Sequence, residues 1–207
     1  MASGNLQGAI DQAQAICWNE SIGYNLGGMA HSSAEGVDCS GLVGRVLHDN
    51  GFNYPSYHVG TINMGAALRT AGFQELQYND HFQPEAGDIF VMNHLDMTGG
   101  HTFFYMENIR GYTDYTANSA NIGMLSRCKV EASSSRGHTG PGDSRRNGTG
   151  AYWEVWVHAY YELVTGYDWR DPGDSVKVYR WPGGLGQNDI FTGLAALLLF
   201  KRKRGII

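Results

Sequence analysis

The run Val37-Asp38-Cys39-Ser40-Gly41-Leu42-Val43 places a cysteine where a loop gives way to a helix. Leu42, Val43, Val46 and Leu47 recur at the spacing of one helical face, and Gly51 follows as a left-handed stop. Asp38 stands where an N-cap belongs. Cys39 therefore falls in the first turn, where the helix dipole and free backbone N–H groups stabilise a thiolate. The same N–H groups can hold the oxyanion of a tetrahedral intermediate. Ser40 and Gly41 are small and leave room for a substrate carbonyl above the sulfur. The Asp38 carboxylate opposes thiolate formation, so it is expected to cap the helix or pair with a cation and point away. A buried, inert thiol is nevertheless the commoner fate of a free cysteine, and Cys39 alone does not overturn that reading.

What overturns it lies downstream. Gly87-Asp88-Ile89-Phe90-Val91 and Gly99-Gly100-His101-Thr102-Phe103-Phe104 both read as strand starts. A thiol nucleophile needs a base, and imidazole titrates near neutrality. Two glycines before His101 leave open space around its ring, and Phe103 and Tyr105 alternate with Phe104 and Met106 across the strand. Further on, Thr116-Ala117-Asn118-Ser119 offers an amide oxygen to the other ring nitrogen, with Asp114 as the second candidate.

Outward from these motifs, Leu6, Ala9, Ile10, Ala13 and Ile16 predict an opening helix over about 5–17, and another helix is expected over 61–70, ended by Gly72. Strands are expected over 88–93, 101–107 and 111–116, then in Ala151–Val164 and Ser175–Trp181, which would close the sheet. Helices first and strands later indicate an α+β domain whose N-terminal helices pack on an antiparallel sheet. Residues 131–150 almost lack large apolar side chains and read as a flexible insertion. The expected division is a domain over 1–182 and a tail over 183–207. That tail holds an apolar run, Ile190 to Phe200, and then Lys201-Arg202-Lys203-Arg204. Eleven helical residues span about 16 Å, too short for a bilayer of about 30 Å, so the tail is expected to dock on the domain, a partner subunit or a membrane surface.

A length of 207 residues suits one well-packed domain, and a net charge of −5 gives no reason to expect nucleic-acid binding. The 12 Tyr and 5 Trp fit a β-rich core better than a dedicated binding groove. Cys17, Cys39 and Cys128 are too few for a disulfide framework and leave at least one free thiol. The N-terminus lacks the basic and apolar regions of a secretory signal. His94, Asp96 and His101 are legitimate zinc-ligand types, but their spacing matches no ligand pattern and leaves the cysteine box unexplained. No metal or other cofactor is expected.

The order Tyr24-x-x-Gly27-Gly28, Asp38-Cys39-Ser40-Gly41-Leu42-Val43, Gly87-Asp88-Ile89-Phe90 and Gly100-His101 resembles the NlpC-type papain-like cell-wall peptidases. Closer still, it is similar to phage peptidoglycan amidases of the Pal type, over roughly residues 5 to 181. The resemblance implies a papain-like α+β fold and hydrolysis of a peptidoglycan amide bond. It implies Cys39 as nucleophile, His101 as general base and acid, and Asn118 as the residue that orients the ring. Tyr24 would face the cysteine and, with Ser40 and Gly100, line the oxyanion and substrate site. The implied setting is a phage lysin, free or carried on a virion tail, made in the host cytoplasm and acting on the wall. The alternative is a non-catalytic tail-tip module of the same fold. The segment 131–150 and the tail have no counterpart in that family.

Overall fold

In the computed structural model, residues 4–19, 22–32, 35–78, 82, 84–94, 96–97, 99–107, 127–133, 150–155 and 175–185 are described. The chain opens with α1, Leu6–Trp18, capped by Asn5, whose side chain accepts from the Gly8 N–H. Leu6, Ala9, Ile10, Ala13 and Cys17 form its buried face. Next comes α2, Cys39–Asp49, with Asp38 as N-cap and Leu42, Val43, Val46 and Leu47 buried. The third helix, α3, is Thr61–Thr70. Both α2 and α3 end in the same way. A glycine with positive φ, Gly51 or Gly72, returns its N–H to the third residue before it, and the phenylalanine after it bonds the carbonyl five residues back. Those two rings, Phe52 and Phe73, then meet each other and Trp181.

Six strands follow: β1 Gln74–Leu76, β2 Ile89–Asn93, β3 Gly100–Glu107, β4 Arg127–Ser133, β5 Gly150–Val155 and β6 Ser175–Arg180. They form one antiparallel sheet in the order β1-β6-β2-β3-β4-β5. The α+β expectation holds. Side chains alternate between two apolar layers. Ile89, Val91, Phe104, Val130, Ala132 and Tyr179 join the core with the three helices. Phe90, Met92, Phe103, Tyr105 and Val178 form the second layer, which Phe82 covers.

Three expectations need correction. The short strand β1 was not foreseen, because three mostly exposed residues show no alternation. The strand β6 does not close the sheet but runs inside it between β1 and β2. Arg180 at its end donates from Nε and Nη2 to both oxygens of buried Asp88, at 2.8 Å each, and so ties β6 to the start of β2. Third, residues 131–133 are not loop. They complete β4, paired with Gly150–Tyr152 of β5. The rest of the expected insertion up to 149, the strand expected over 111–116, the chain after Val155 up to 174 and the tail from 186 lie outside the described residues. Of the tail's first residues, Leu185 packs against the main core. No helix among the described residues is long and apolar enough to cross a membrane.

Candidate active site

Two of the sequence motifs turn out to be one structural unit. The loop from Tyr24 to Gly28 lies against the entry to α2, with Tyr24 and Val37 bridged. The Asp38 N–H donates to the Gly28 carbonyl at 3.1 Å, and the Gly27 N–H donates to Asp38 Oδ2 at 2.7 Å. The same Gly28 carbonyl sits so close to Gly41 that an added Cβ there would run into it. The glycine of the cysteine box is thus demanded by a close backbone approach.

Asp38 is 2% exposed and turned away from the sulfur, as its sequence position suggested. Its Oδ1 accepts from the Gly41 N–H at 2.6 Å and from the Ser40 hydroxyl at 2.9 Å. With Gly41 so capped and the Leu42 N–H bonded to the Asp38 carbonyl, the Cys39 and Ser40 N–H groups have no acceptor among the described residues. Two backbone donors at a helix start, beside a thiol, make an oxyanion site.

Tyr24 is half-buried beside Cys39 and Asp38. Burial first, then the negative charge of those two groups, pushes its hydroxyl up to about 12. It stays protonated at neutral pH and serves as a donor. Gly100 pairs with Asn93 of β2, and an added Cβ would meet the Met92 carbonyl and the Thr61 hydroxyl. Close packing of β3 against β2 and α3 accounts for this glycine.

On β3, the His101 ring hydrogen-bonds the Cys39 side chain. Its Nε2 lies 2.8 Å from Glu131 Oε2, which leaves Nδ1 as the ring nitrogen for the sulfur. His101 is 27% exposed and Glu131 1%. Burial alone would pull the imidazole down. The Glu131 charge, the bonds to Cys39 and Glu131 and the Cys39 charge outweigh it, and His101 is pushed up to about 9. An imidazolium between a thiol and a carboxylate is the arrangement that favours a thiolate.

Glu131 was not found in the sequence, because it was assigned to the start of an insertion. Alternation in β4 turns it away from the layer of Val130 and Ala132 and toward the ring of His101. The Cys17 thiol of α1 donates to the Glu131 carbonyl at 3.6 Å, which pins the strand at this residue. The sequence reading gave this place to Asn118, with Asp114 behind it. Both lie outside the described residues, and Nε2 is occupied by Glu131. The side chain of Cys128 is likewise outside them. His94 and Asp96 flank the turn between β2 and β3. Among the described residues, no three His, Cys, Asp or Glu side chains come together as a metal-ligating group, so the zinc alternative has no assembled set there.

The chain matches the NlpC/P60 family over residues 22–136, more than half of its 207 residues. It belongs to that family, whose members are in general cysteine peptidases that hydrolyse cell-wall peptidoglycan. No curated protein matches the chain.

Proposed function

We propose that this chain hydrolyses an amide bond of peptidoglycan with Cys39 as nucleophile, His101 as base and acid, and Glu131 as the group that orients and charges the ring. The observation that carries the reading is the line from Cys39 at the start of α2, through the His101 ring, to Glu131 at 2.8 Å. The Cys39 thiol passes its proton to His101, and the sulfur attacks the substrate carbonyl. The Cys39 and Ser40 N–H groups and the Tyr24 hydroxyl hold the resulting oxyanion. His101 returns the proton to the leaving amine, leaving a thioester. Water, deprotonated by the same ring, cleaves the thioester and restores the thiol.

The bond cut is proposed to be that between muramic acid and L-alanine. The support is the order of motifs, which is similar to that of phage amidases of the Pal type. The same likeness supports a phage lysin, made in the host cytoplasm and acting on the wall. Stem-peptide endopeptidase activity requires the same thiol chemistry and is the alternative outcome. Mass spectrometry of fragments released from purified cell walls separates the two, because the amidase frees intact stem peptides from intact glycan. In the same assay Cys39→Ala is expected to release nothing while keeping its fold, since alanine fits the space. Release at near wild-type rate would sink the mechanism.

A further inference from the structure

A second imidazole is wired into the start of α2. His58, in the loop between α2 and α3, sets its Nε2 3.0 Å from Asp38 Oδ2 and 3.2 Å from Ser40 Oγ. Those two residues flank Cys39. An ionised carboxylate has no proton to give, so Nε2 carries the hydrogen and shares it between Oδ2 and Oγ. The Ser40 hydroxyl gives its own proton to Asp38 Oδ1 and accepts from His58. Asp38 thereby receives four donors: the Gly27 and Gly41 N–H groups, the Ser40 hydroxyl and His58. That is about the full accepting capacity of a carboxylate.

The consequence falls on the sulfur. Asp38 is a buried negative charge one residue from the nucleophile, and a carboxylate so placed opposes a thiolate unless its charge is taken up elsewhere. Without His58, Oδ2 keeps only the Gly27 N–H, and the Ser40 hydroxyl loses its donor. The loop that carries His58 is pressed onto α2. The Tyr57 carbonyl occupies the space a Cβ at Gly44 would need, and the Tyr57 ring packs on His48 at 3.9 Å and edge-on to His31 at 5.0 Å. His58 is therefore held at the cap by the packing of its neighbour. Around Cys39 itself, the facing groups are His101 from β3, Tyr24 from the preceding loop and Asp38.

We infer that His58 is a positioning residue for Cys39: by completing the hydrogen-bond set of Asp38 and fixing Ser40, it keeps the carboxylate's charge away from the thiolate. The inference rests on Cys39 being the nucleophile. It is tested by a readout that needs no substrate, the rate of Cys39 alkylation by iodoacetamide, beside kcat and KM on solubilised wall fragments. His58→Leu fills the space without a donor, and His58→Gln carries an amide N–H to about the position of Nε2. Leucine is expected to lower the alkylation rate and kcat together by about tenfold, the scale of one lost hydrogen bond to a charged group, with KM little changed. Glutamine should recover most of both. His58→Ala repeats the comparison with a smaller side chain, so a misfolded leucine variant does not end it. A folded Leu or Ala variant alkylated at the wild-type rate overturns the inference, as does an equal loss in the Gln variant. Wild-type protein that is alkylated at Cys39 but releases nothing from walls would sink the functional reading instead, and the alkylation comparison would still stand.

Discussion

At the scale of single residues, His101 is pulled in opposite directions, and the balance can be measured. Burial favours the neutral ring, but the neighbouring carboxylate and thiol win and raise it from 6.5 to about 9. A raised folded-state value means that the protonated ring is stabilised by folding. That contribution is fully present below about pH 6.5 and is lost as pH rises through about 9. The leaving amine also needs that proton, so kcat/KM is expected to fall on the alkaline side near the same value. In Glu131→Gln the amide oxygen still accepts from Nε2–H, but the charge is gone. The alkaline limb should move to lower pH, and the pH-dependent stability should vanish with it. Glu131→Ala loses orientation as well. Its turnover should fall by about 10–10²-fold, milder than the roughly 10²–10⁴-fold for losing the base itself. An unmoved alkaline limb in Glu131→Gln would show that Glu131 does not set the charge of the ring. Cys39 and His101 were legible because each announces itself locally, one by a cap and a helix, the other by two glycines and a strand. Glu131 stands 30 residues beyond His101, and only register across β3 and β4 brings it back.

At the scale of elements, glycine spacing couples two motifs that look separate along the chain. Gly41→Ala should push the 24–28 loop off the start of α2, because its Cβ would collide with the Gly28 carbonyl. Overpacking of this kind costs about 1–3 kcal/mol. Here it should also displace Gly27 from Asp38 and Tyr24 from the sulfur, so activity should fall further than stability. Urea unfolding set beside wall hydrolysis checks this, and a variant equal to wild type in both would refute the coupling. The helices were readable because caps and stops are local: Asp38 begins α2, Gly51 ends it, and Gly72 ends α3. The sheet was less readable. The order that puts β6 between β1 and β2 depends on long-range pairs such as Arg180 with Asp88, which no periodicity reveals. The strand end at 131–133 was missed because its polar face, seen alone, resembles loop composition.

At the scale of the whole molecule, the domain supplies its own chemistry, and the remaining question is what brings it to its substrate. A thiol–imidazole pair needs no metal, so dialysis against EDTA should leave wall hydrolysis intact while iodoacetamide abolishes it; the reverse pattern would revive metal chemistry. Delivery falls to the tail. Leu194, Leu197, Leu198 and Phe200 are costly to leave in water, at about 25 cal/mol per Å² of apolar surface, and Lys201 to Arg204 add attraction to acidic lipid or protein surfaces. The cut that separates these residues from the domain cannot fall at Trp181. Trp181 packs with Phe52 and Phe73, and Leu185 still rests on the core. Truncation after Gly186 is therefore the informative variant. It should fold and hydrolyse soluble wall fragments at the wild-type rate, while losing binding to vesicles that contain acidic lipid or to the rest of a phage particle. An insoluble or inactive truncation would mean that the apolar run belongs to the core of the domain. Undiminished binding would place the targeting surface on the domain itself.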